Sequence, residues 1–144
     1  MRRLNTKEWI AVVVAVLVVG LVSLFNNTAQ KINLAKSPEV LIQDTLVGGG
    51  EIAMSGNLLT VNYTGRFVDG KVFDSSVTRG EPVQFVLGDS RIIKGWSEGL
   101  AGMRVGGKRT ISVPPELGYG ANNYRSIPGG STLIFDVELL KVQK

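Results

Sequence analysis

Two stretches of this chain repeat apolar residues with a period of two, and that repeat restricts the fold more than any other feature. In the first, Leu59, Val61, Tyr63, Gly65 and Phe67 alternate with Thr60, Asn62, Thr64 and Arg66; in the second, Leu133, Phe135, Val137 and Leu139 take every other position. Successive side chains on a strand point to opposite faces, so each stretch reads as a strand with one buried face. Asp69-Gly70 marks a tight hairpin after the first, and Val72 and Phe73 lie on the return strand. Val83, Phe85 and Leu87 make another short strand after the loop around Arg79-Gly80-Glu81-Pro82, and Ile111 and Val113 belong to one stopped by Pro114-Pro115. Val40 to Val47 reads as a first strand, ended by Gly48-Gly49-Gly50.

One segment has a different period. Ile93, Trp96 and Leu100 recur at helical spacing behind Gly88-Asp89-Ser90, which supply capping residues, and Gly106-Gly107 closes the helix off. About five antiparallel strands with one short amphipathic helix predict an α+β domain, most simply a curved sheet wrapped on that helix.

The N-terminus is of another kind. From Trp9 to Phe25 the chain is uncharged and apolar apart from Gly20 and Ser23. As a helix this stretch reaches about 25 Å, close to a hydrocarbon core of about 30 Å. A single uncleaved signal-anchor helix over 9–25 is the expectation. The competing readings are a cleaved signal peptide, which has a shorter apolar run and a small-x-small site, and a buried core helix. Asn27-Thr28-Ala29 and Asn33-Leu34-Ala35 match a cleavage site poorly. Arg2, Arg3 and Lys7 place residues 1–8 in the cytoplasm by the positive-inside rule and the rest of the chain outside it. The expected organisation is therefore a single-pass protein of the cell membrane, with a polar linker over 26–38 and a domain over 39–144 on the extracytoplasmic side.

Composition narrows the chemistry. The chain has neither cysteine nor histidine, which excludes disulfides, thiolate nucleophiles, Cys/His zinc sites and His-based triads. Asp, Glu, Lys, Tyr, Ser and Thr remain. Of the net charge of +4, Arg2, Arg3 and Lys7 against Glu8 supply +2 before the apolar segment begins. No Lys/Arg run interleaved with aromatics follows, so no nucleic-acid partner is expected.

Val61-Asn62-Tyr63-Thr64-Gly65, Val72-Phe73-Asp74-Ser75-Ser76, Ile92-Ile93-Lys94-Gly95-Trp96, Gly118-Tyr119-Gly120-Ala121 and the closing run Leu133 to Leu140 stand in one series. That series resembles the FK506-binding peptidyl-prolyl isomerases over essentially all of Val40 to Lys144. The resemblance implies an apolar pocket for a substrate proline ring, with Trp96 as its floor. Carried over residue by residue, it implies catalytic roles for Tyr63, Phe73, Asp74, Ile93, Trp96, Tyr119 and Phe135. Substrate-binding roles fall to Arg79, Val83, Phe85, Ile92, Tyr124 and Ile127. Trp96, Phe73, Ile92 and Phe135 would surround the ring, the Ile93 N–H and the Tyr119 hydroxyl would hold substrate carbonyls, and Asp74, paired with Arg79, would sit near the twisting amide. Val83 stands where many relatives have phenylalanine, and the loop Asn122 to Ser126 is about one residue shorter than the common form.

Periodicity alone leaves alternatives open. Aromatics at strand and helix spacing usually just pack. Asp74 before Ser75-Ser76 also reads as a turn residue bonded to backbone or to Arg79, and Arg79 as an exposed loop arginine. Strict alternation sends Asp74 to the face opposite Phe73, so only a bulge or a strand end brings both into one pocket. The isomerase reading needs no metal or cofactor. Its expected partners are proline-containing unfolded or nascent polypeptides, FK506-like macrolides, and the membrane through the N-terminal helix. The alternative is a chaperone-like or scaffold domain that grips proline-containing segments without turning them over.

Overall fold

The computed structural model describes residues 37–144. The N-terminal segment 1–8, the apolar stretch 9–25 and nearly all of the linker 26–38 lie outside the described residues. Among those described, no helix is long and apolar enough to cross a membrane.

Six strands, β1 (Leu41–Leu46), β2 (Leu58–Phe67), β3 (Val72–Ser75), β4 (Val83–Val86), β5 (Lys108–Val113) and β6 (Leu133–Gln143), form one sheet. Its order is β1-β5-β6-β2-β3, with β4 also on β2, and every pairing is antiparallel. The expected count was about five, and all six stretches read as strands are present. β2 is long enough to hold two short partners on one edge: β4 pairs with Leu58 to Val61 and β3 with Thr64 to Arg66. The alternation carries through as expected. Leu59 and Val61 of β2 and Leu133, Phe135, Val137 and Leu139 of β6 are buried, and with Ile111 and Val113 of β5 they make the core. The hairpin between β2 and β3 closes at Asp69-Gly70, with Phe67 and Lys71 bonded across it at 2.9 Å.

Among the described residues two helices are present where one was expected in this domain. The first, α1 (Ser76–Arg79), fills the gap between β3 and β4. Its N-cap Ser75 accepts from the Thr78 N–H at 3.3 Å. Ser76, fully buried, accepts the Tyr63 N–H at 2.8 Å and donates to Asn62 Oδ1 at 3.1 Å. The hydroxyl thereby replaces the sheet partner that β2 lacks between its two short neighbours, where a bare N–H would cost about 1–3 kcal/mol.

The second helix, α2 (Lys94–Leu100), is the expected one with corrected ends. Gly88-Asp89-Ser90 do not cap it. Ile93 takes the N-cap position with no side-chain bond, while Asp89 turns to Arg91 at 2.6 Å. The helix ends at Leu100, well before Gly106-Gly107. Two glycines in seven residues make a poor helix by propensity, and packing compensates. A Cβ on Gly95 would overlap Val113 of β5, and one on Gly99 would lie 3.1 Å from Ile111. The glycine stripe therefore lets α2 lie directly on β5 and sets Trp96 against the sheet.

Arg109 completes the frame. It is buried, donates to Gly99 O at 2.9 Å and Ala101 O at 3.2 Å, and forks onto both oxygens of Asp44 at 2.6 and 3.1 Å. One guanidinium thus satisfies carbonyls at the end of α2 and ties β1 to β5.

Candidate active site

The site is built on β2, whose Tyr63 and Gly65 share the face of the buried Leu59 and Val61. Gly65 is the position that makes room. A Cβ there would lie 2.6 Å from the Phe73 ring and 3.1 Å from Phe135, so only glycine lets both rings close over the strand. Phe73 packs edge-on against Phe135 (5.7 Å, 87°), Phe135 against Trp96 (5.4 Å, 86°), and Trp96 against Tyr63 (5.1 Å, 82°) and Phe85 (5.1 Å). All but the last, which is tilted at 56°, are near-perpendicular, the arrangement preferred by ring quadrupoles. Trp96 and Phe135 are buried at 8% and 3% exposure, which makes them a rigid base. Trp96 Nε1 is buried without an acceptor among the described residues, an expense that native cores seldom carry.

The conflict between Phe73 and Asp74 is resolved by a bulge. In the β2–β3 pairing Gly65 stands opposite Asp74 and Arg66 opposite Val72, so Phe73 is the extra residue. The bulge breaks the alternation and brings the Phe73 ring and the Asp74 carboxylate to one cavity. That cavity, of about 460 Å³, is lined by Phe73, Asp74, Arg79, Tyr119, Tyr124, Arg125, Ser126 and Ile127.

Asp74 is held on both sides. Its Oδ2 accepts from the Tyr63 hydroxyl and its Oδ1 from Arg79, whose guanidinium also lies 5.8 Å over the Tyr63 ring. Arg79 reaches back because α1 is a single turn. With both oxygens engaged, Asp74 is a fixed charge whose field is offset by Arg79. Burial, and then the hydrogen bond to Asp74, push the Tyr63 hydroxyl above its ordinary pKa, so it remains a proton donor.

Tyr119 follows the 3₁₀ turn Pro115–Leu117. Its ring stacks on Tyr124 at 4.5 Å and 8°, and burial raises its hydroxyl pKa, with the neighbouring Tyr124 and Asp74 adding to the effect. Among the described residues the hydroxyl has no hydrogen-bond partner, which leaves a protonated donor at a cavity whose rim is polar and whose apolar wall is Phe73 and Ile127. The Ile93 N–H likewise meets no backbone acceptor there, one residue ahead of α2.

Of the residues expected at the site, Phe73, Asp74, Arg79, Tyr119, Tyr124 and Ile127 line the cavity together. Tyr63, Trp96, Phe135 and Phe85 join it through hydrogen bonds and ring contacts. Val83, Ile92 and Ile93 do not line it; they are half-buried against the same core. Arg125 and Ser126 line the cavity but were not anticipated, because a shortened polar loop gives no periodic signal. A second hollow, of about 310 Å³, lies on the opposite sheet face by Asn62, Thr64, Thr110 and Asp136. There Asp136 is taken up by Thr110 at 2.7 Å and Arg66 at 3.1 Å.

Comparison with known proteins agrees with this geometry. Residues 49–140 match the family model of the FKBP-type peptidyl-prolyl cis-trans isomerase. The chain is 49% identical over 104 residues to FK506-binding protein 4 of Aspergillus oryzae, covering 72% of this chain but only 22% of that longer protein. It is 48% identical over 104 residues to the FK506-binding protein of Neisseria meningitidis serogroup B, covering 72% of this chain and 95% of that one. Among solved structures, FkpA from Escherichia coli superimposes with a TM-score of 0.68 at 34% identity, over 98% of this chain and 74% of that one. On the sheet, the aromatic cavity and these matches, the chain belongs to the FKBP-type peptidyl-prolyl cis-trans isomerase family.

Proposed function

We propose that the chain accelerates cis–trans rotation about Xaa-Pro bonds in folding polypeptides. The observation that carries this reading is a protonated, uncommitted Tyr119 hydroxyl at a cavity walled by Phe73 and Ile127, whose only carboxylate, Asp74, is locked in bonds to Tyr63 and Arg79. Rotation must overcome an amide barrier of about 18–20 kcal/mol that comes from resonance. The planar amide is more polar than the twisted one, so removing water and presenting aromatic walls disfavours the ground state relative to the twisted form. Phe73 supplies the aromatic wall, Phe135 and Trp96 back it from beneath, Tyr119 and the Ile93 N–H hold substrate carbonyls, and Asp74 bears on the rotating amide. No proton needs to move. A saving of about 5 kcal/mol would give several thousand-fold acceleration.

The same reading includes a helix over 9–25 that anchors the chain in the cell membrane and leaves the domain outside the cytoplasm, supported by the uncharged run and the basic residues before it. FK506-like macrolides, for which the similar proteins are named, would enter the same cavity. The test is refolding of a protein limited by prolyl isomerisation, at substoichiometric amounts of the chain. The slow phase should quicken in proportion to the chain added. A slow phase left unchanged, with the unfolded protein bound, would mean a domain that grips proline segments without turning them over.

A further inference from the structure

Tyr124 and Ile127 bond to each other in both directions at 2.9 Å, which closes a two-residue turn with Arg125 at its first corner. Arg125 has φ of 51°, and it is the one non-glycine residue with positive φ among those described. Glycine or asparagine would take this conformation with less strain. A strained arginine at a cavity rim calls for a reason in its side chain.

The side chain has a defined place. Its guanidinium lies 5.4 Å from the Tyr124 ring centre, and Tyr124 stacks on Tyr119 at 4.5 Å. The guanidinium is therefore no more than about 10 Å from the Tyr119 ring centre, the span of about three extended residues. Its charge is also the one left over. Asp74 and Arg79 offset each other, and Arg125 has no carboxylate partner among the described residues. The influence of Arg125 on the Tyr119 hydroxyl, lowering its pKa against the larger effect of burial, agrees with this closeness.

We infer that Arg125 is a specificity-determining residue that selects substrates with a carboxylate side chain within about two residues of the proline. The inference rests on the isomerase reading and names the substrate class of the same cavity. An aspartate or glutamate there meets a guanidinium held in place on a tyrosine, whereas a lysine meets like charge.

The test uses the full chain and four-residue-flanked proline peptides in which Glu, Gln or Lys is placed in turn at the two positions before and the two after the proline. Exchange between cis and trans is read by NMR at about 10 mM and about 0.5 M salt. At low salt kcat/KM should favour Glu over Lys by about fivefold at one or more positions, with Gln between. High salt and Arg125→Asn should each bring the ratio close to one, and the variant, being relieved of strain, should melt no lower than the wild type. Equal rates for Glu and Lys at every position would overturn the inference, as would a preference that survives Arg125→Asn. If no peptide is turned over, the isomerase reading falls, and the Glu-to-Lys ratio of peptide dissociation constants from the same spectra decides this inference by the same criteria.

Discussion

Gly65→Ala should damage both stability and catalysis, by an amount set at one contact. The added methyl would lie 2.6 Å from the Phe73 ring and 3.1 Å from Phe135. Phe135, at 3% exposure and wedged against Trp96, has nowhere to go, so the Phe73 ring must yield toward the cavity. Overpacking of this kind costs about 1–3 kcal/mol. The lower backbone entropy of alanine in a strand returns roughly 0.5–1 kcal/mol. A net loss centred on about 1 kcal/mol and no larger than about 2.5 kcal/mol follows, and each kcal/mol should lower Tm by about 4–8 °C in a domain near this size. Urea unfolding measures the first quantity and calorimetry the second. On the proposed reading, activity should fall by at least about fivefold, because the displaced ring enters the cavity. The double variant isolates the cause: with Phe73→Leu in place the methyl has room, so Gly65→Ala should then cost less than about 0.5 kcal/mol. Gly65→Ala as stable as the wild type, or equally costly in both backgrounds, would refute the steric argument.

Three further results are expected. Tyr119→Phe should lower kcat/KM about five- to tenfold, the worth of about 1 kcal/mol of hydrogen bonding, yet leave urea unfolding unchanged because the hydroxyl has no internal partner. The exchange rate should be flat from about pH 6 to about pH 9, since the chain has no histidine and burial holds the Tyr63 and Tyr119 hydroxyls above their ordinary range; a bell-shaped profile would show that a proton moves. The hydrogen bonds from Arg109 hold the Asp44 carboxyl below its usual range, so the unfolded chain takes up its proton first. The stabilisation should be complete above about pH 4 and lost as pH falls through the lower native value; Asp44→Asn, losing about 1–2 kcal/mol at neutral pH, should flatten that limb of the stability curve.

Period-two repeats announce a strand wherever one face is buried, which is why β2 and β6 were legible residue by residue. The helix carrying Trp96 was legible from Ile93, Trp96 and Leu100, but its ends were not. Asp89 has a nearer partner in Arg91 than the helix N-terminus, and local capping chemistry cannot know that. Gly95 and Gly99 count against a helix by propensity, and only the approach to β5 turns them into requirements. Likewise α1 depends on a hydroxyl meeting the Tyr63 N–H thirteen residues away, and Arg109 on carbonyls and a carboxylate brought together by tertiary folding. At the site, the aromatic residues came from family resemblance rather than period. The need for a bulge beside Phe73 followed from alternation itself, since two adjacent residues of a regular strand cannot share a face. Arg125 was illegible because its significance lies in a φ value and a ring stack, neither of which leaves a pattern in the chain.

The most direct test of the central claim, that an aromatic cavity with a free tyrosine donor rotates the prolyl bond, is two-dimensional NMR exchange of an Ala-Pro peptide with catalytic amounts of the full chain. Wild type and Trp96→Ala would be run side by side, each checked for native unfolding behaviour. The account predicts cis–trans cross-peaks that build up with the wild type and are largely lost with Trp96→Ala. Peptide that binds the wild type without exchange, or exchange undiminished in a folded Trp96→Ala chain, would contradict it.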